Sequence, residues 1–328
     1  MSSRVLVTGA GGFLGSHVVR RLLARERTVR AFVRKSTNVD GIAGLPVEWA
    51  YGDITDRGAV DAAMAGCDSV IHCVVNTQAW LRDPTPMRRA NVDGLAVAID
   101  AALFRGVRRF VMTSTIGTIG LNPGGVSSEE DAFNWPRKAG PYIRLRVEAE
   151  EMFFRAARER GLPGIAMCVA NTYGPGDHGP TPHGRLIAAA ASGKLPFYLD
   201  AGLACVGIED AAEAMVLAEE KGRVGERYIV AERWLTNAEL CGIAADQGGA
   251  RPPKRIPLWL AYALGFVADG VSRITGRDSQ LSVESVRLSH IMNDMSAAKA
   301  RRELGWQPRP VEQSVRAAVD FYKARGIA

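Results

Sequence analysis

The sequence is poor in cysteine and lacks the patterns that would give cysteines a structural role. Only five are scattered along 328 residues, and no two of them have the C-x-x-C spacing. This usage predicts buried thiols in a reducing, cytoplasmic compartment rather than disulfides or metal ligands. The five are Cys67, Cys73, Cys168, Cys205 and Cys241.

Long hydrophobic runs are also missing. Met1 leads directly into a predicted strand, so we expect no signal peptide. The longest apolar stretch, Ile256 to Val271, contains Asp269 and is shorter than the roughly 20 residues that span a bilayer. It predicts a buried amphipathic helix, with association of that helix with a lipid surface as the alternative. We therefore expect no stable membrane insertion.

Positive charge is in excess but is not concentrated. The net charge is +6, and the arginines are scattered without an aromatic-interleaved basic stripe. We therefore expect no nucleic-acid partner, and an anionic cofactor with a small-molecule substrate is the simpler expectation. The composition, 47% hydrophobic and 23% charged, is typical of a globular protein with a large core. A homodimer is compatible with the sequence but is not specified by it.

Apolar β-branched segments alternate with helix-length segments through the first half of the chain. This alternation predicts the α/β class, with a doubly wound parallel sheet covered by helices on both faces. The predicted strands are Val5–Thr8, Val29–Val33, Val47–Tyr51, Ser69–Val75, Phe110–Ser114 and Ile165–Ala170. The predicted helices between them are Gly15–Ala24, Asp56–Met64, Asn91–Phe104 and Tyr142–Arg160.

The pattern changes after Asn171. Glycines and prolines between residues 174 and 182 predict a long loop at the rim of an active site. Thr236 and Glu239 have the spacing of a capping box at the start of a helix. In the last helix, a stripe at helical spacing predicts core packing: Val311, Val315, Val319 and Tyr322.

The segment Thr8–Gly15 follows the first predicted strand and opens a helix. Gly9 permits a tight turn, Gly12 lets backbone N–H groups approach a pyrophosphate, and Gly15 allows close packing of helix on strand. The segment predicts a nicotinamide dinucleotide site, with a purely structural glycine turn as the alternative. We therefore expect a Rossmann domain over residues 1–172, to which later segments return, and a smaller C-terminal α/β lobe over 173–328 that mainly binds substrate.

The end of the second predicted strand bears on the choice of cofactor. A carboxylate there would select NAD, but the sequence reads Val33-Arg34-Lys35. A guanidinium and an ammonium suit a 2′-phosphate far better, so we expect NADP, with NAD and a solvated basic turn as the alternative.

The third predicted strand is followed by Asp53 and Ile54. A carboxylate at this position can accept a hydrogen bond from the adenine amino group. Capping of the next helix by Asp53 or Thr55 is the alternative.

Tyr142 and Arg146 lie four residues apart on a predicted helix and therefore on one face of it. A free tyrosine has a pKa near 10, and a cation one turn away favours its phenolate. Thr115, after the fifth strand, could hydrogen-bond a substrate carbonyl beside the tyrosine. The pattern predicts a proton-transfer site, and an ordinary surface helix is the alternative.

These segments together resemble an extended short-chain dehydrogenase/reductase of the NAD-dependent epimerase/dehydratase family, over nearly the full length of the chain. Within that family the chain is most similar to dihydroflavonol-reductase-like proteins, especially hopanoid-associated sugar epimerases, through residues 180–185 and Tyr198–Asp210. The broader resemblance rests on Thr8–Gly15, Gly52-Asp53, Cys67–His72, Asn91–Gly94, Thr113–Thr115, Tyr142 with Ala149-Glu150, Asn171–Pro175 and Glu303–Pro308.

The resemblance implies roles for individual residues. Tyr142 would be the acid/base and Thr115 its substrate-orienting partner. Asn91 would support the active-site helix through backbone and water contacts, and Phe13 and Leu14 would lie along the cofactor. The chain departs from the family at three places. Arginine stands at position 146, where the family has a lysine that bridges the nicotinamide ribose hydroxyls. His72-Cys73-Val74-Val75 replaces a His-x-Ala-Ala segment, and Gly207 stands where relatives often have histidine.

Taken together, these features predict an NADP(H)-dependent oxidoreductase that moves hydride between nicotinamide and a secondary alcohol or ketone. One alternative is a nucleotide-sugar epimerase or dehydratase, which would need cations such as Arg185, Lys194 and Arg251 to grip a diphosphate. Another is a non-catalytic dinucleotide-binding regulatory protein, which Arg146 in place of lysine makes credible. We expect no metal site: His72 is predicted to be packed in the core, and His178 and His183 lack neighbouring carboxylates.

Overall fold

The computed structural model describes residues 3–79, 81, 83–275 and 282–328. Its largest sheet has seven strands in the order β10-β6-β5-β4-β1-β2-β3, and all six pairs are parallel. Two smaller sheets have the orders β11-β9-β7 and β12-β8. The strands are β1 (Arg4–Thr8), β2 (Thr28–Val33), β3 (Glu48–Tyr51), β4 (Ser69–His72), β5 (Arg109–Thr115), β6 (Gly164–Val169), β7 (Asn171–Tyr173), β8 (Phe197–Leu199), β9 (Gly202–Gly207), β10 (Arg227–Val230), β11 (Arg233–Thr236) and β12 (Lys254–Ile256).

The helices cover both faces of the large sheet and build most of the C-terminal part of the chain. They are α1 (Phe13–Leu23), α2 (Arg57–Met64), α3 (Thr85–Arg88), α4 (Gly94–Arg105), α5 (Pro141–Arg160), α6 (Pro182–Ala191), α7 (Ile208–Lys221), α8 (Asn237–Gly248), α9 (Leu258–Thr275), α10 (Val283–Ile291), α11 (Ala298–Leu304) and α12 (Val311–Ala324). A π-helix spans Arg89–Asp93, and a 3₁₀-helix spans Ile116–Thr118.

Side-chain alternation along β1 explains why helices pack on both faces of the sheet. Val5 and Val7 belong to a cluster with α1 and α7, whereas Leu6 belongs to a cluster with α2, α4 and α5. Successive strand residues point to opposite faces, so an all-apolar strand needs a cover on each side. Each fully buried side chain of this size contributes about 1.5–3 kcal/mol. The predicted doubly wound parallel sheet is confirmed.

The C-terminal part forms its own apolar cluster from α6, α8 and α12 around β9. Val311, Val315, Val319 and Tyr322 are buried in it, as the stripe in α12 predicted. The capping box of Thr236 and Glu239 begins α8. The chain returns to the large sheet through β10, which pairs with β6.

Three local predictions differ from the structure. The strand predicted over Ser69–Val75 ends at His72. The amide of Cys73 still bonds the carbonyl of Thr8, but the amide and carbonyl of Asn76 bond to the side chain of Asn91. The helix predicted from Asn91 starts as the π-helix and becomes α-helical only at Gly94. Four cysteines are buried as predicted, but Cys73 is only half-buried.

The helix predicted as buried, α9, is largely exposed. Trp259 and Phe266 face outward, while Ala261 is buried and Tyr262 packs edge-on against His290 of α10. The apolar period therefore predicted a helix correctly, but its outer side has no cover in the described part of the chain. Within the described ranges, none of the helices combines the length and apolar character needed to cross a bilayer.

Candidate active site

A cleft of about 620 Å³ opens at the carboxyl ends of β1, β2 and β4. The strand order reverses between β1 and β4, which is where open parallel sheets bind their ligands. The lining includes Gly9 and Gly12 from the glycine turn, Val33 and Arg34 after β2, Gly52–Thr55 after β3, and Cys73–Gln78 after β4.

The glycine turn has no room for side chains. Gly9 has a φ of +68°, a conformation that favours glycine, and a Cβ at Gly15 would lie 2.2 Å from the carbonyl oxygen of Gly9. Gly12 is the N-cap of α1, and no side chain among the described residues caps this helix end. The first amides of α1 are therefore available to an anion, and the turn fits a pyrophosphate.

The predicted cofactor residues divide into two groups. Gly9, Gly12, Arg34, Asp53 and Ile54 line the cleft, whereas Phe13, Leu14, Gly15 and Lys35 do not. The ring of Phe13 stands edge-on to His17, Leu14 packs against the core, Gly15 lies beneath the turn, and Lys35 is exposed.

Asp53 organises the turn after β3. Its Oδ1 accepts hydrogen bonds from the amide of Thr55 at 3.0 Å and from the hydroxyl of Thr55 at 2.6 Å. These bonds hold the pKa of the Asp53 carboxyl below its usual value. The N-cap of α2 is Asp56, which accepts from the amide of Ala59, so capping by Asp53 or Thr55 was wrong. Asp56 lies three residues before Ala59, which is a usual spacing between an N-cap and the amide that it bonds.

Arg89 was not predicted as a site residue, yet it lines the cleft and donates from Nη2 to the Thr55 hydroxyl at 3.3 Å. Arg34 lies on the cleft wall formed by the end of β2. The charges of Arg89 and Arg34 both lower the pKa of Asp53, so both arginines lie near that carboxylate. The Arg88-Arg89 pair immediately before the Asn91 segment was the available signal.

Tyr142 and Thr115 meet where β5 ends and α5 begins. Pro141 occupies the first turn of α5, a favourable place because its missing N–H would be unpaired there anyway. Burial raises the pKa of Tyr142, while the charge of Arg146 and a hydrogen bond with Thr115 lower it. The net shift is upward, so the phenol is protonated at neutral pH and can donate a proton.

Arg146 is a buried cation, with a relative exposure of only 2%. Its Nη2 donates to the carbonyl oxygen of Thr113, and its Nε has no hydrogen-bond partner among the described residues. Burial lowers its pKa, and Tyr142 and Glu150 oppose that shift. The guanidinium therefore acts from inside the protein and does not project into the open cleft.

A second charge follows one turn later on the same face of α5. The carboxylate of Glu150 accepts from Ser114, from the Thr118 hydroxyl at 2.9 Å and from Nη1 of Arg227 at 3.2 Å. The carboxylate of Glu150 opposes the buried charge of Arg146, which would otherwise be costly, and it also pairs with Arg227. Glu150 was not predicted as a site residue, although its i, i+4 spacing from Arg146 is visible in the sequence.

Asn91 holds the cleft wall. Its Oδ1 accepts from the amide of Asn76 at 2.7 Å, and its Nδ2 donates to the carbonyl of Asn76 at 3.0 Å. The resemblance implied support of the active-site helix, but the side chain bonds the segment after β4 instead. Asn91 lies in the middle of the π-helix.

Two of the five histidines, His72 and His183, are held in the neutral form by burial. The Nδ1 of His72 lies 3.0 Å from the Thr8 hydroxyl, and burial lowers its pKa to about 3. Burial also lowers the pKa of His183 to about 4. Among the described residues, no group of three or more His, Cys, Asp or Glu side chains could hold a metal ion.

The glycine- and proline-rich loop, predicted to form the rim of an active site, is not part of the lining of the dinucleotide cleft. Asp177 accepts from the Thr181 hydroxyl at 2.9 Å and from the hydroxyl of Tyr322 at 2.7 Å. These bonds fasten the loop to α12. The loop instead lines a separate depression of about 480 Å³ beside α1.

Gly207 has a packing explanation. A Cβ there would lie 2.4 Å from Oγ of Ser314 and 2.8 Å from Oδ2 of Asp210. Relatives often have histidine at this position. Here the close approach of α12 leaves no room for a side chain.

Apolar side chains surround the outer side of Tyr142. Trp135, Ala139 and Ile143 form a buried cluster against which Tyr142 and Met292 pack. Trp135 is held by a hydrogen bond from its Nε1 to the carbonyl of Ile119 at 3.1 Å. Tyr142 therefore adjoins an apolar wall.

Comparison with known proteins is consistent with this geometry. The family model described as "NAD dependent epimerase/dehydratase family" matches residues 5–231. The chain is 30% identical to a protein of Synechocystis sp. provisionally named a dihydroflavonol 4-reductase, covering 99% of this chain and 96% of that one. It is 32% identical to sterol demethylase protein B of Methylococcus capsulatus, covering 98% and 99%. The crystal structure of gox2253 superposes with a TM-score of 0.88 at 32% identity, covering 99% of each chain. The chain belongs to the NAD dependent epimerase/dehydratase family.

Proposed function

We propose that the protein is an NADP(H)-dependent oxidoreductase that interconverts a secondary alcohol and a ketone on a small molecule. The observation that carries this proposal is the meeting of Tyr142, Thr115 and Arg146 at the carboxyl end of β5. This strand pairs with β4, and the residues that follow β4 line the glycine-turn cleft. We assign residues 1–172, together with β10, to the domain that binds the dinucleotide. Residues 173–328 form mainly the lobe that binds substrate.

Tyr142 gives its phenolic proton to the substrate carbonyl oxygen in the reductive direction and takes a proton back in the oxidative direction. Thr115 orients the same oxygen, and Arg146 makes the phenol a stronger acid through its charge. Arg146 thus supplies the electrostatic part of the role that lysine has in the family. A nicotinamide dinucleotide, when bound, supplies or accepts the hydride. Gly9, Gly12 and the first amides of α1 would hold its pyrophosphate.

The preference for NADP rests on Arg34 and Arg89. Both line the cleft near Asp53, and no acid stands at position 33, which is Val33. Two guanidinium groups can form charged hydrogen bonds with a 2′-phosphate, whereas a ribose hydroxyl needs neither.

The apolar wall beside Tyr142 favours a ketone or alcohol carried on an apolar skeleton. Trp135, Ile143 and Met292 offer no groups for a sugar or a diphosphate. The relatives include sterol demethylase protein B and a 2-alkyl-3-oxoalkanoate reductase of Stenotrophomonas maltophilia, names that are consistent with apolar substrates.

The nucleotide-sugar alternative gains no support from the cations that it requires. Arg185 lies in the first turn of α6, and Lys194 lies beyond the end of that helix. The intervening helix separates them by about 10 Å along its axis.

The test is spectroscopic. Purified protein with NADPH should oxidise the cofactor when given apolar ketones, and the decrease in reduced-nicotinamide absorbance reports turnover. A panel of nucleotide sugars, analysed for epimers, is the counter-test. Turnover of nucleotide sugars alone would overturn the proposal. Tight NADPH binding without turnover on either panel would instead favour a regulatory role.

A further inference from the structure

The outer side of α9 is an apolar surface that the described part of the chain leaves uncovered. Trp259, Phe266 and Ile274 are exposed by 69%, 75% and 88%. Leu264, Val267 and Val271 extend the same side, and their spacing follows the helical period. We call these six residues the α9 apolar face.

The concentration of these residues on one helix sets the surface apart. Of the thirteen large hydrophobic side chains that are exposed in the described part of the chain, seven belong to α9. Exposed apolar residues scattered singly need no explanation, but a contiguous patch marks a contact with a partner or a membrane.

The charges around the helix help to distinguish a membrane from a protein partner. Arg251 and Lys254 are exposed immediately before α9, and Arg255 beside them pairs with Asp200 at 2.6 Å. The single acid within the helix, Asp269, accepts from the amide of Val283 at 3.2 Å and is thereby directed toward α10. The apolar face thus has cations at one end and no carboxylate of α9 directed onto it.

The dimensions of α9 favour a position along a surface rather than across it. Its 18 residues extend about 27 Å, but its inner side carries Tyr262 and Asp269, which bond to or pack against α10. Trp259, in the first turn beside the cations, has the amphipathic ring that is enriched where hydrocarbon meets headgroups.

We propose that the α9 apolar face docks on an anionic lipid bilayer, with the helix axis in the plane of the interface. Helices of this kind bury their apolar side about 5–10 Å into the boundary between headgroups and acyl chains. Arg251 and Lys254 meet the anionic headgroups, whose negative surface potential attracts them. The proposal is independent of the reaction that the protein catalyses.

The experiment is co-sedimentation of the full-length protein with vesicles of phosphatidylcholine alone or mixed with phosphatidylglycerol. The wild type should bind the anionic vesicles, and added salt should weaken that binding. The double variant Phe266→Glu/Ile274→Glu should lower the partition coefficient at least tenfold, because both new charges would enter hydrocarbon. Phe104→Glu is the matched control, because Phe104 is exposed to a similar degree, 77%, on α4. It should bind as the wild type does.

A second measurement does not depend on the double variant. Vesicles with brominated acyl chains should quench the tryptophan fluorescence of the wild type, and Trp259→Phe should remove most of that quenching. The proposal is overturned if the wild type binds neither kind of vesicle, or if Phe266→Glu/Ile274→Glu and the wild type bind equally. It is also overturned, in favour of a second copy of the chain, if light scattering shows a dimer that the double variant dissociates while no vesicle is bound.

Discussion

The guanidinium of Arg146 is anchored to the main-chain carbonyl oxygen of Thr113, so the cation beside Tyr142 is fixed by the neighbouring strand. A lysine has a compact charge on a flexible stem, whereas arginine presents a planar fork that can bond the strand and still face the phenol. The departure from lysine therefore keeps the charge near Tyr142 but changes how that charge is held.

Replacing Tyr142 by phenylalanine removes the proposed proton donor and leaves the ring. We expect kcat to fall by about 10²-fold or more, because positioned acid–base groups contribute about that much. The Kd for NADPH should stay unchanged, since the phenol acts in the transition state. Steady-state kinetics and fluorescence titration measure the two effects. Tyr51→Phe, on the exposed edge strand, is the control. Full activity of Tyr142→Phe would refute the mechanism.

The pH dependence should identify what Arg146 does. Reduction needs protonated Tyr142, so its rate falls as pH rises through the pKa of that phenol. The charge of Arg146 lowers this pKa, and burial raises it. Arg146→Met should therefore move the alkaline limb of the rate profile to higher pH and slow the reaction, since the phenol becomes a weaker acid.

Arg146→Lys is the matched variant because it keeps the cation. Its alkaline limb should remain near that of the wild type, measured as kcat/KM for reduction between neutral and alkaline pH. If Arg146→Met and Arg146→Lys give the same profile as the wild type, charge is not the contribution of Arg146. Thermal unfolding of each variant shows whether the buried charges around Glu150 still permit folding.

The cofactor preference should depend on two arginines. Arg34→Ala should weaken NADPH binding by about 1.5–3 kcal/mol, the range for a charged hydrogen bond, and leave NADH binding unchanged. Arg89→Ala should act in the same direction. Calorimetric titration of both cofactors provides the measurement. Arg57→Ala, which removes an exposed cation paired with Asp100, should alter neither affinity. Equal losses for NADPH and NADH in Arg34→Ala would contradict a phosphate role.

Asn91 should affect cofactor binding by positioning the cleft wall. Asn91→Ala removes both hydrogen bonds to Asn76 and frees the cleft wall, so we expect a higher KM for NADPH with a smaller effect on kcat. The unsatisfied backbone groups should also cost about 1–3 kcal/mol of stability, measured by denaturant unfolding. Asn91→Asp keeps the acceptor oxygen but loses the Nδ2 donor. Its KM for NADPH should therefore lie between those of the wild type and Asn91→Ala. A loss confined to kcat would indicate direct contact with the substrate instead.

The sequence by itself determined the fold class, the glycine turn and the capping of α8, because each depends on residues close together in the chain. The apolar period of α12 likewise specified a buried face. The same reasoning found Tyr142, Thr115 and Arg146, since a helix brings i and i+4 together and a strand end is readable from its neighbours.

Only the tertiary structure decided the contacts between distant segments. It joined Arg227 to Glu150, Arg89 to Thr55, and Asn91 to Asn76, pairs that no local pattern connects. It also reversed the expectation for α9, because an apolar period shows that a helix has an apolar side but not what covers it. Local propensity is set by neighbours in sequence, whereas the partner of a side chain is set by how whole elements pack.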